Sequence, residues 1–280
     1  MTTARIASLH VYPVKGCRGV GLTHANVAVT GLATQSVGDR EWMVVDGDGR
    51  FLTQRELPRL ALVATEVTAD GLRLCAPHMR ALDIPLEGGG ASREVVVWRS
   101  TVLGSDSGDA AAKWLSDWLA HDVRLVRFDS ARRRECNRDY AGDSGAHTKF
   151  ADGYPILVAN AASLAELNER LATRGHAALP MNRFRPNVVL DGMPPFDEDH
   201  VEAIDIGGVV LRLVKPSTRC QVTTTDQATA RVGIEPLPTL TQFRMNEKLG
   251  GVTFGVNAIV VEGEGRSIAA GAIATVEYRF

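Results

Sequence analysis

One stretch of the chain brings a lone cysteine together with an arginine and several hydroxyl side chains: Lys215-Pro216-Ser217-Thr218-Arg219-Cys220-Gln221-Val222-Thr223-Thr224-Thr225-Asp226. The β-branched run at residues 209–214 predicts a strand directly before it, and Gly207-Gly208 separates that strand from another at residues 203–206. We therefore expect the strand to run into a Pro-Ser turn that presents Cys220 on a loop.

The neighbours of Cys220 indicate what its sulfur can do. An arginine beside a thiol favours the thiolate, which is the nucleophilic and metal-binding form, whereas a buried structural cysteine more often has aliphatic neighbours. Two interpretations stay open on chemistry alone, a catalytic nucleophile and a ligand for a soft metal. Since one thiolate cannot hold zinc, a metal here needs further ligands, such as the dithiolene of a pterin. Thr218, Thr223 and Thr224 can donate hydrogen bonds to anionic oxygens or hold the loop in place.

The composition narrows the class of protein. The chain has 280 residues, of which 45% are apolar, and a formal net charge of −2, so nothing favours binding to nucleic acid or to an anionic membrane. Cys17, Cys75 and Cys136 form no C-x-x-C pair, which predicts reduced thiols in the cytoplasm rather than a zinc knuckle, an iron–sulfur loop or a disulfide framework. We find no signal peptide, no apolar run approaching the roughly 18 residues of a membrane span, and no glycine-rich nucleotide motif. We expect a cytoplasmic protein.

Short strands dominate the first hundred residues. Strands are predicted at 40–46 and 50–53 around Gly47-Asp48-Gly49, at 60–68 and 72–76 around Asp70-Gly71, and at 94–100. A helix capped by Ser107 is predicted next. Its apolar stripe, with two tryptophans as core anchors, consists of Ala111, Trp114, Leu115, Trp118 and Leu119. Residues 123–128 predict another strand.

The second half follows a long polar loop at residues 129–153 that connects two halves of the chain. It is predicted to contain a helix with Leu164, Leu167 and Leu171 on one face, ended by Gly175. Strands are predicted at 154–159, 187–190, 203–206, 209–214, 258–262 and 274–280. Many strands, few helices and no regular βαβ alternation predict an α+β fold, predominantly β, with barrel-like sheets.

Three further fragments place basic groups at strand ends. Lys15 and Gly16 end the first strand, Arg40 begins another, and Arg185 precedes Asn187 at a strand entry. Lysine and arginine suit a phosphate, which arginine can bind through two parallel hydrogen bonds, and an asparagine amide can pair with the polar edge of a pterin ring.

The segments Y-P-V-K-G, D-R-x-W, F-A-D-G-Y-P, F-R-P-N, T-R-C-x-x-T-T-x-D and F-G-x-N together resemble the MOSC-domain molybdoenzymes, and most of all the amidoxime-reducing component and YcbX-type proteins. The similarity extends over nearly the whole chain. It implies a MOSC N-terminal β-barrel domain at residues 1–125, packed on a MOSC β-barrel domain with a few helices at residues 126–280.

The resemblance also implies the site residues. Cys220 matches the molybdenum ligand and catalytic residue. The positions matching those that bind the molybdenum cofactor (Mo-molybdopterin) are Lys15, Gly16, Arg40, Gly153, Tyr154, Arg185, Asn187, Thr218, Arg219 and Asn257. The role of Asn257 is the least defined, because some members have an aromatic residue there.

The activity implied is a molybdenum-dependent oxidoreductase, with no role for pyridoxal phosphate, that reduces amidoximes, hydroxylamines or N-hydroxylated bases. YcbX-type chains carry a C-terminal ferredoxin domain and eukaryotic members an N-terminal membrane anchor; we expect neither here. A separate ferredoxin-, flavin- or cytochrome-type protein is then expected to supply electrons. The alternative is a cofactor carrier or sulfur-transfer protein, since MOSC domains also occur in cofactor sulfurases. The substrate, the donor, the oligomeric state and the choice of molybdenum or tungsten stay open.

Overall fold

A computed structural model describes residues 2–86 and 90–279. Two ends of predicted elements lie outside this range. They are Met1, the start of the first predicted domain, and Phe280, the end of the last predicted strand and of the second predicted domain. The strands are β1 (Thr2–Val11), β2 (Val20–Leu22), β3 (His24–Ala28), β4 (Gly31–Thr34), β5 (Val37–Gly38), β6 (Trp42–Val45), β7 (Ala64–Val67), β8 (Gly71–Cys75), β9 (Leu82–Pro85), β10 (Ser92–Val97), β11 (Ser100–Asp106), β12 (Arg124–Phe128), β13 (Arg134–Glu135), β14 (His147–Thr148), β15 (Ile156–Asn160), β16 (Val188–Asp191), β17 (Val201–Asp205), β18 (Val210–Thr218), β19 (Met245–Asn246), β20 (Gly251–Glu262), β21 (Ser267–Ala269) and β22 (Ile273–Tyr278).

The helices are short. They are α1 (Asp109–Leu119), α2 (Arg138–Ala141), α3 (Ala161–Thr173) and α4 (Leu237–Thr241), with 3-10 helices at Pro58–Leu62, Met181–Arg183, Asp197–His200 and Gln221–Thr224. Within the described residues, no helix has the length and apolar character needed to cross a lipid bilayer. The predicted α+β, predominantly β class is confirmed.

Seven strands close into a barrel in the order β15-β16-β1-β22-β17-β18-β20, with β20 hydrogen-bonded back to β15. Its interior is aliphatic and includes Ile6, Val158, Leu211 and Val256. The first strand of the chain pairs antiparallel with both β16 and β22, so it completes a barrel otherwise built from residues 156–278. Helix α3 connects the parallel strands β15 and β16. The division of the chain near residue 125 stays a prediction.

A second core lies in the N-terminal part, between the sheets β10-β11-β12-β6 and β7-β8-β9 and helix α1. The predicted stripe of α1 is buried. The indole N–H groups of Trp114 and Trp118 donate to the carbonyls of Arg80 and Arg59 at 2.6 and 3.2 Å. Both tryptophans therefore anchor the core, as predicted.

Four local predictions in this part are wrong. The predicted strand at 94–100 is interrupted by a turn at residues 98 and 99 that joins β10 to β11. Ser107 does not cap α1; the N-cap is Gly108, whose N–H donates to Oδ1 of Asp106 at 2.8 Å. The predicted strand at 60–68 starts only at Ala64, because Pro58, with its fixed φ, begins a 3-10 helix. The predicted strand at 50–53 is reduced to isolated bridges at residues 50 and 51.

The predicted Pro-Ser turn before Cys220 is also wrong, since β18 runs through Pro216 as far as Thr218. Pro216 has no N–H to give to the ladder. The register of β18 against β20 shifts between Leu213 and Lys215 and again between Pro216 and Thr218. Proline is tolerated in a strand at such irregularities. The strand itself therefore brings residue 218 to the edge of the site.

Glu198 is fully buried below the first turn of α3. Oγ of Ser163 lies 2.8 and 2.7 Å from its two carboxylate oxygens. Burial raises the pKa of Glu198 to about 7, although the bond from Ser163 opposes the shift. The folded state therefore keeps a proton that the unfolded chain loses above about pH 4.5, so the free energy of unfolding falls as pH rises from about 4.5 to about 7.

We expect Glu198→Gln to raise the free energy of unfolding by about 1–3 kcal/mol at pH 8 and to change it little at pH 5. Urea unfolding at both pH values measures this. Glu169→Gln, which changes an exposed glutamate on α3, is the control. Equal destabilisation at both pH values would contradict this, and would show that Ser163 needs the carboxyl group of Glu198 whatever its charge.

Candidate functional site

A cavity of about 430 Å³ lies where the barrel meets the N-terminal part. All eleven predicted site residues line it. The full lining consists of Lys15, Gly16, Arg40, Thr53, Gln54, Arg55, Trp98, Ala151, Asp152, Gly153, Tyr154, Leu157, Phe184, Arg185, Asn187, Lys215, Pro216, Ser217, Thr218, Arg219, Cys220, Val222 and Asn257. The structure thus brings together residues up to 242 positions apart, although their individual roles stay predictions.

Cys220 stands in an exposed position at the end of β18. The N–H of Arg219 donates to the carbonyl of Val252 at 2.8 Å, and a 3-10 helix begins at Gln221. The hydroxyl of Thr223 donates to the carbonyl of Cys220 at 2.9 Å, and that of Thr224 to the carbonyl of Gln221 at 2.8 Å. Both buried threonines therefore hold the loop, one of the two uses predicted for them.

Two other thiols are suited to packing instead. Cys17 and Cys136 are buried, and burial raises the pKa of Cys17 to about 12 and that of Cys136 to about 11. Both therefore remain neutral thiols at ordinary pH. Cys220 is the cysteine that the cavity presents.

The guanidinium of Arg185 is buried against the cavity, and burial lowers its pKa to about 10. Its Nη1 has one long contact, 3.4 Å to Oε1 of Gln227, and its Nη2 has no hydrogen-bond partner among the described residues. Its Cζ atom lies 4.4 Å from the ring centroid of Tyr12. Arg185 is therefore a desolvated cation with donor capacity left over.

Arg219 also has one side-chain N–H group with no acceptor among the described residues. Its Nη1 donates to Oγ of Ser217 and its Nη2 to the carbonyl of Phe184, both at 2.8 Å. Its Nε is buried and unpartnered within the part of the chain that the structure describes. Burial lowers the pKa of Arg219, against the opposing charge of Cys220.

Arg40 has more protein partners than Arg185. It forms an ion pair with the buried carboxylate of Asp39 and donates to the carbonyl of Arg185 at 3.2 Å. Its Cζ atom lies 4.3 Å from the Tyr12 ring centroid. The Tyr12 ring thus contacts the guanidinium groups of both Arg40 and Arg185 and helps to position the two cations.

The amide of Asn187 is fully engaged inside the protein. Its oxygen accepts from the N–H of Leu157 at 3.0 Å and from Arg40 at 3.1 Å. Its nitrogen donates to Asp39 at 2.9 Å and to the carbonyl of His10 at 3.2 Å. In this arrangement Asn187 orients Arg40 and joins β16 to β1 and β15, while contact with a ring edge stays a prediction.

Lys15 is buried and forms an ion pair with Asp152, whose Oδ1 also accepts from Nε1 of Trp98 at 2.9 Å. Burial lowers the pKa of Lys15, and the charge of Asp152 opposes that shift. Gly16, with φ of +85°, follows at the turn and accepts from the amide of Gln54 at 2.7 Å. The chain therefore bends at a position that favours glycine.

Residues 151–154 form one wall of the cavity, and side-chain hydrogen bonds stabilise this segment. Arg134 is buried and donates to the carbonyls of Lys149, Ala151 and Asp152. Gly153 faces open space, and the hydroxyl of Tyr154 is buried without a partner among the residues described. On the opposite wall, Asn257 donates to the carbonyl of Lys215 at 3.1 Å.

The charges of this cavity suit an anionic ligand. Its lining has six cationic side chains, Lys15, Arg40, Arg55, Arg185, Lys215 and Arg219, and one carboxylate, that of Asp152. Arg185, Arg219 and Tyr154 each have a buried donor with no partner in the described part of the chain. A buried donor without a partner costs free energy that a phosphate or a heterocycle edge can recover. A phosphorylated pterin would fit this donor set, and the exposed sulfur of Cys220 would be available to a metal that the pterin carried.

Several lining residues were missed by the reasoning from sequence. Asp152 lies inside the F-A-D-G-Y-P segment, yet only its neighbours were selected. Trp98 was assigned to a strand, and Lys215 was noted only as part of the Cys220 stretch. The sequence holds no local signal for Trp98, because the turn at Trp98 and Arg99 has neither glycine nor asparagine to mark it. Of the residues described, no group of three His, Cys, Asp or Glu side chains could share a metal ion.

Comparison with known proteins identifies the family. A model of the MOSC N-terminal beta barrel domain matches residues 3–122, and a model of the MOSC domain matches residues 145–274. Mitochondrial amidoxime reducing component 2 of Bos taurus is 33% identical over 246 residues, which cover 86% of this chain and 72% of that protein. The chain belongs to the MOSC-domain family. Mitochondrial amidoxime-reducing component 1 of Homo sapiens is 33% identical over 245 residues, which cover 85% of this chain and 72% of that protein. The Danio rerio protein of the same name is 32% identical over 251 residues, which cover 86% of this chain and 75% of that protein.

The two matched segments of this MOSC protein share the cavity. The N-terminal segment contributes Lys15 and Arg40, and the MOSC segment contributes Arg185 and Cys220. Strand β1 lies in the first segment by sequence, yet it is hydrogen-bonded into the barrel of the second. Because Lys15 follows shortly after β1, this pairing places the lysine beside the barrel residues of the site.

Proposed function

We propose that this protein binds a molybdenum cofactor in the cavity and acts as an oxidoreductase on N-hydroxylated compounds. The observation that carries the proposal is the presence of the exposed Cys220 in the same cavity as six cationic side chains and unpartnered buried donors. The similarity to amidoxime reducing components supports the reaction type.

In this proposal the chain's own residues bind and orient. Cys220 provides the thiolate ligand, Arg185 and Arg219 pair with the anionic oxygens of the cofactor, and Lys15 adds charge beside them. When bound, the metal would supply the two electrons that reduce an N–O bond. The Lys15–Asp152 ion pair holds a carboxylate near the mouth of the cavity, where it can accept a hydrogen bond from a substrate N–H group.

The substrates we propose are amidoximes, hydroxylamines and N-hydroxylated bases. An amidoxime takes up two electrons and two protons and yields an amidine and water. A separate ferredoxin-, flavin- or cytochrome-type protein is proposed as the electron donor, and the cytoplasm as the location.

We expect protein loaded with the molybdenum cofactor to convert benzamidoxime to benzamidine with a reduced viologen dye as the electron donor. Elemental analysis for molybdenum and tungsten establishes the metal content, and chromatography measures the product. Cofactor-free protein is the control for reduction by the dye itself.

Protein with one equivalent of molybdenum that forms no benzamidine would contradict the proposed reduction. If the same preparation instead transfers cofactor or sulfur to an acceptor apo-enzyme, the chain is a carrier or sulfur-transfer protein.

A further inference from the structure

A second cavity, of about 510 Å³, adjoins the first on its outer side. Five residues line both: Trp98, Asp152, Gly153, Tyr154 and Lys215. We call this second space the outer cavity. Because the two spaces share this wall, a molecule in the outer cavity lies next to whatever occupies the cavity of Cys220.

Trp98 has an unusual backbone for its side chain. Val97 of β10 pairs with Ser100 of β11, so Trp98 and Arg99 are the two turn residues of a tight hairpin. The φ of Trp98 is +55°, a region that favours glycine, asparagine and aspartate and is an outlier for a bulky side chain. Such an outlier points to a role for the side chain that offsets its cost in the turn.

The indole is nevertheless held in one orientation. Its Nε1 donates to Asp152 at 2.9 Å, and its ring centroid lies 5.0 Å from that of Phe51. The Cζ atom of Arg55 lies 5.0 Å from the same Trp98 centroid. Even so, 45% of the residue is exposed. The hairpin tip therefore presents a fixed aromatic surface between the two cavities.

Hydrogen-bonding groups surround this surface. The outer cavity also contains the carboxylate of Glu135 and the amide of Asn137, in addition to the carboxylate of Asp152. Its cationic residues are Arg99, Arg134 and Lys215. Carboxylates accept hydrogen bonds from N–H and O–H groups, and an amide can both donate and accept. An aromatic face with such acceptors around it matches a flat, nitrogen-rich ligand.

We propose that Trp98 determines specificity by stacking on the planar, conjugated body of an N-hydroxylated substrate in the outer cavity. The substrate class is aromatic amidoximes and N-hydroxylated heterocyclic bases, in preference to aliphatic compounds with the same reacting group. Stacking on an indole strengthens binding of a ring and gives nothing to a methyl group in its place. This inference rests on the proposed function for the identity of the reacting group.

Benzamidoxime and acetamidoxime are the probes, because they share the reacting group and differ in the ring. Calorimetry on cofactor-loaded protein gives the ratio of their dissociation constants without turnover. We expect the wild type to favour benzamidoxime, and Trp98→Ala and Trp98→Asn to lower this preference about tenfold. Ile273→Ala, which removes an exposed apolar side chain lining neither cavity, should keep the ratio unchanged.

Stability separates binding from packing. Asparagine tolerates positive φ, so Trp98→Asn should unfold within about 3 °C of the wild type or above it while losing the preference. An unchanged ratio in both Trp98 variants, or no preference in the wild type, would overturn the inference. In a third outcome, the wild type prefers benzamidoxime and the Trp98 variants lose this preference, while neither probe is reduced. That result would support the stacking site and contradict the proposed reduction.

Discussion

Replacement of Cys220 by alanine is expected to remove at least about 99% of benzamidoxime reduction and most of the bound molybdenum. The thiolate is the protein's proposed bond to the metal, and alanine offers no ligand atom. The fold should persist, because the hydrogen bonds of Thr223 are made to the backbone carbonyl of residue 220, which alanine keeps. The residue is also exposed, and surface changes usually alter stability by less than about 0.5 kcal/mol.

Elemental analysis, thermal unfolding and X-ray absorption at the molybdenum edge test this together. Cys75→Ala, which removes a half-buried thiol on β8 outside the cavity, is the matched control and should retain metal and activity. Cys220→Ala protein with full molybdenum and an unchanged number of sulfur neighbours would contradict the proposal. Loss of folding would identify Cys220 as a packing residue.

Residue chemistry pointed to part of the candidate site, because a thiol beside an arginine and basic residues at strand ends have a recognisable chemistry. Gly153, Tyr154 and Asn257 were predicted only through the resemblance to MOSC-domain proteins. The eleven selected residues line one cavity. Trp98 was missed because its importance depends on a contact with Asp152, 54 positions away. No local pattern reports such a contact.

The strand content was predictable in the same way, while the closure of the barrel was not. Alternating and β-branched residues indicate strands locally, but the pairing of β1 with β22 joins residues about 270 positions apart. The turn expected at Pro216 failed for the same reason. Local preference excludes proline from a regular ladder, and only the register shifts against β20 make room for it.

Two buried arginines two positions apart should respond oppositely to the same change. Arg185 has no carboxylate within salt-bridge distance in residues 2–86 and 90–279, whereas Arg183 forms an ion pair with Asp226 at 2.9 Å and donates to the carbonyl of Thr224 at 2.9 Å. In cofactor-free protein, Arg185→Met removes an uncompensated buried charge and should stabilise the fold by about 1 kcal/mol. Arg183→Met breaks a paired network and should destabilise it by about 3 kcal/mol.

For cofactor affinity, we expect Arg185→Met to have the larger effect of the two variants. Arg185→Met removes the donor that the anionic ligand is proposed to use, so cofactor affinity should fall at least about tenfold, while Arg183→Met should change it much less. Urea unfolding of cofactor-free protein and the rate of molybdenum release measure the two effects. If Arg185→Met destabilises the cofactor-free fold as much as Arg183→Met does, Arg185 is a structural cation. If Arg185→Met retains the cofactor in full, the anion binds elsewhere in the cavity. A gain in stability together with a loss of cofactor affinity is what distinguishes a binding arginine from a packing one. An arginine that only supports the fold would lower the stability when it is removed.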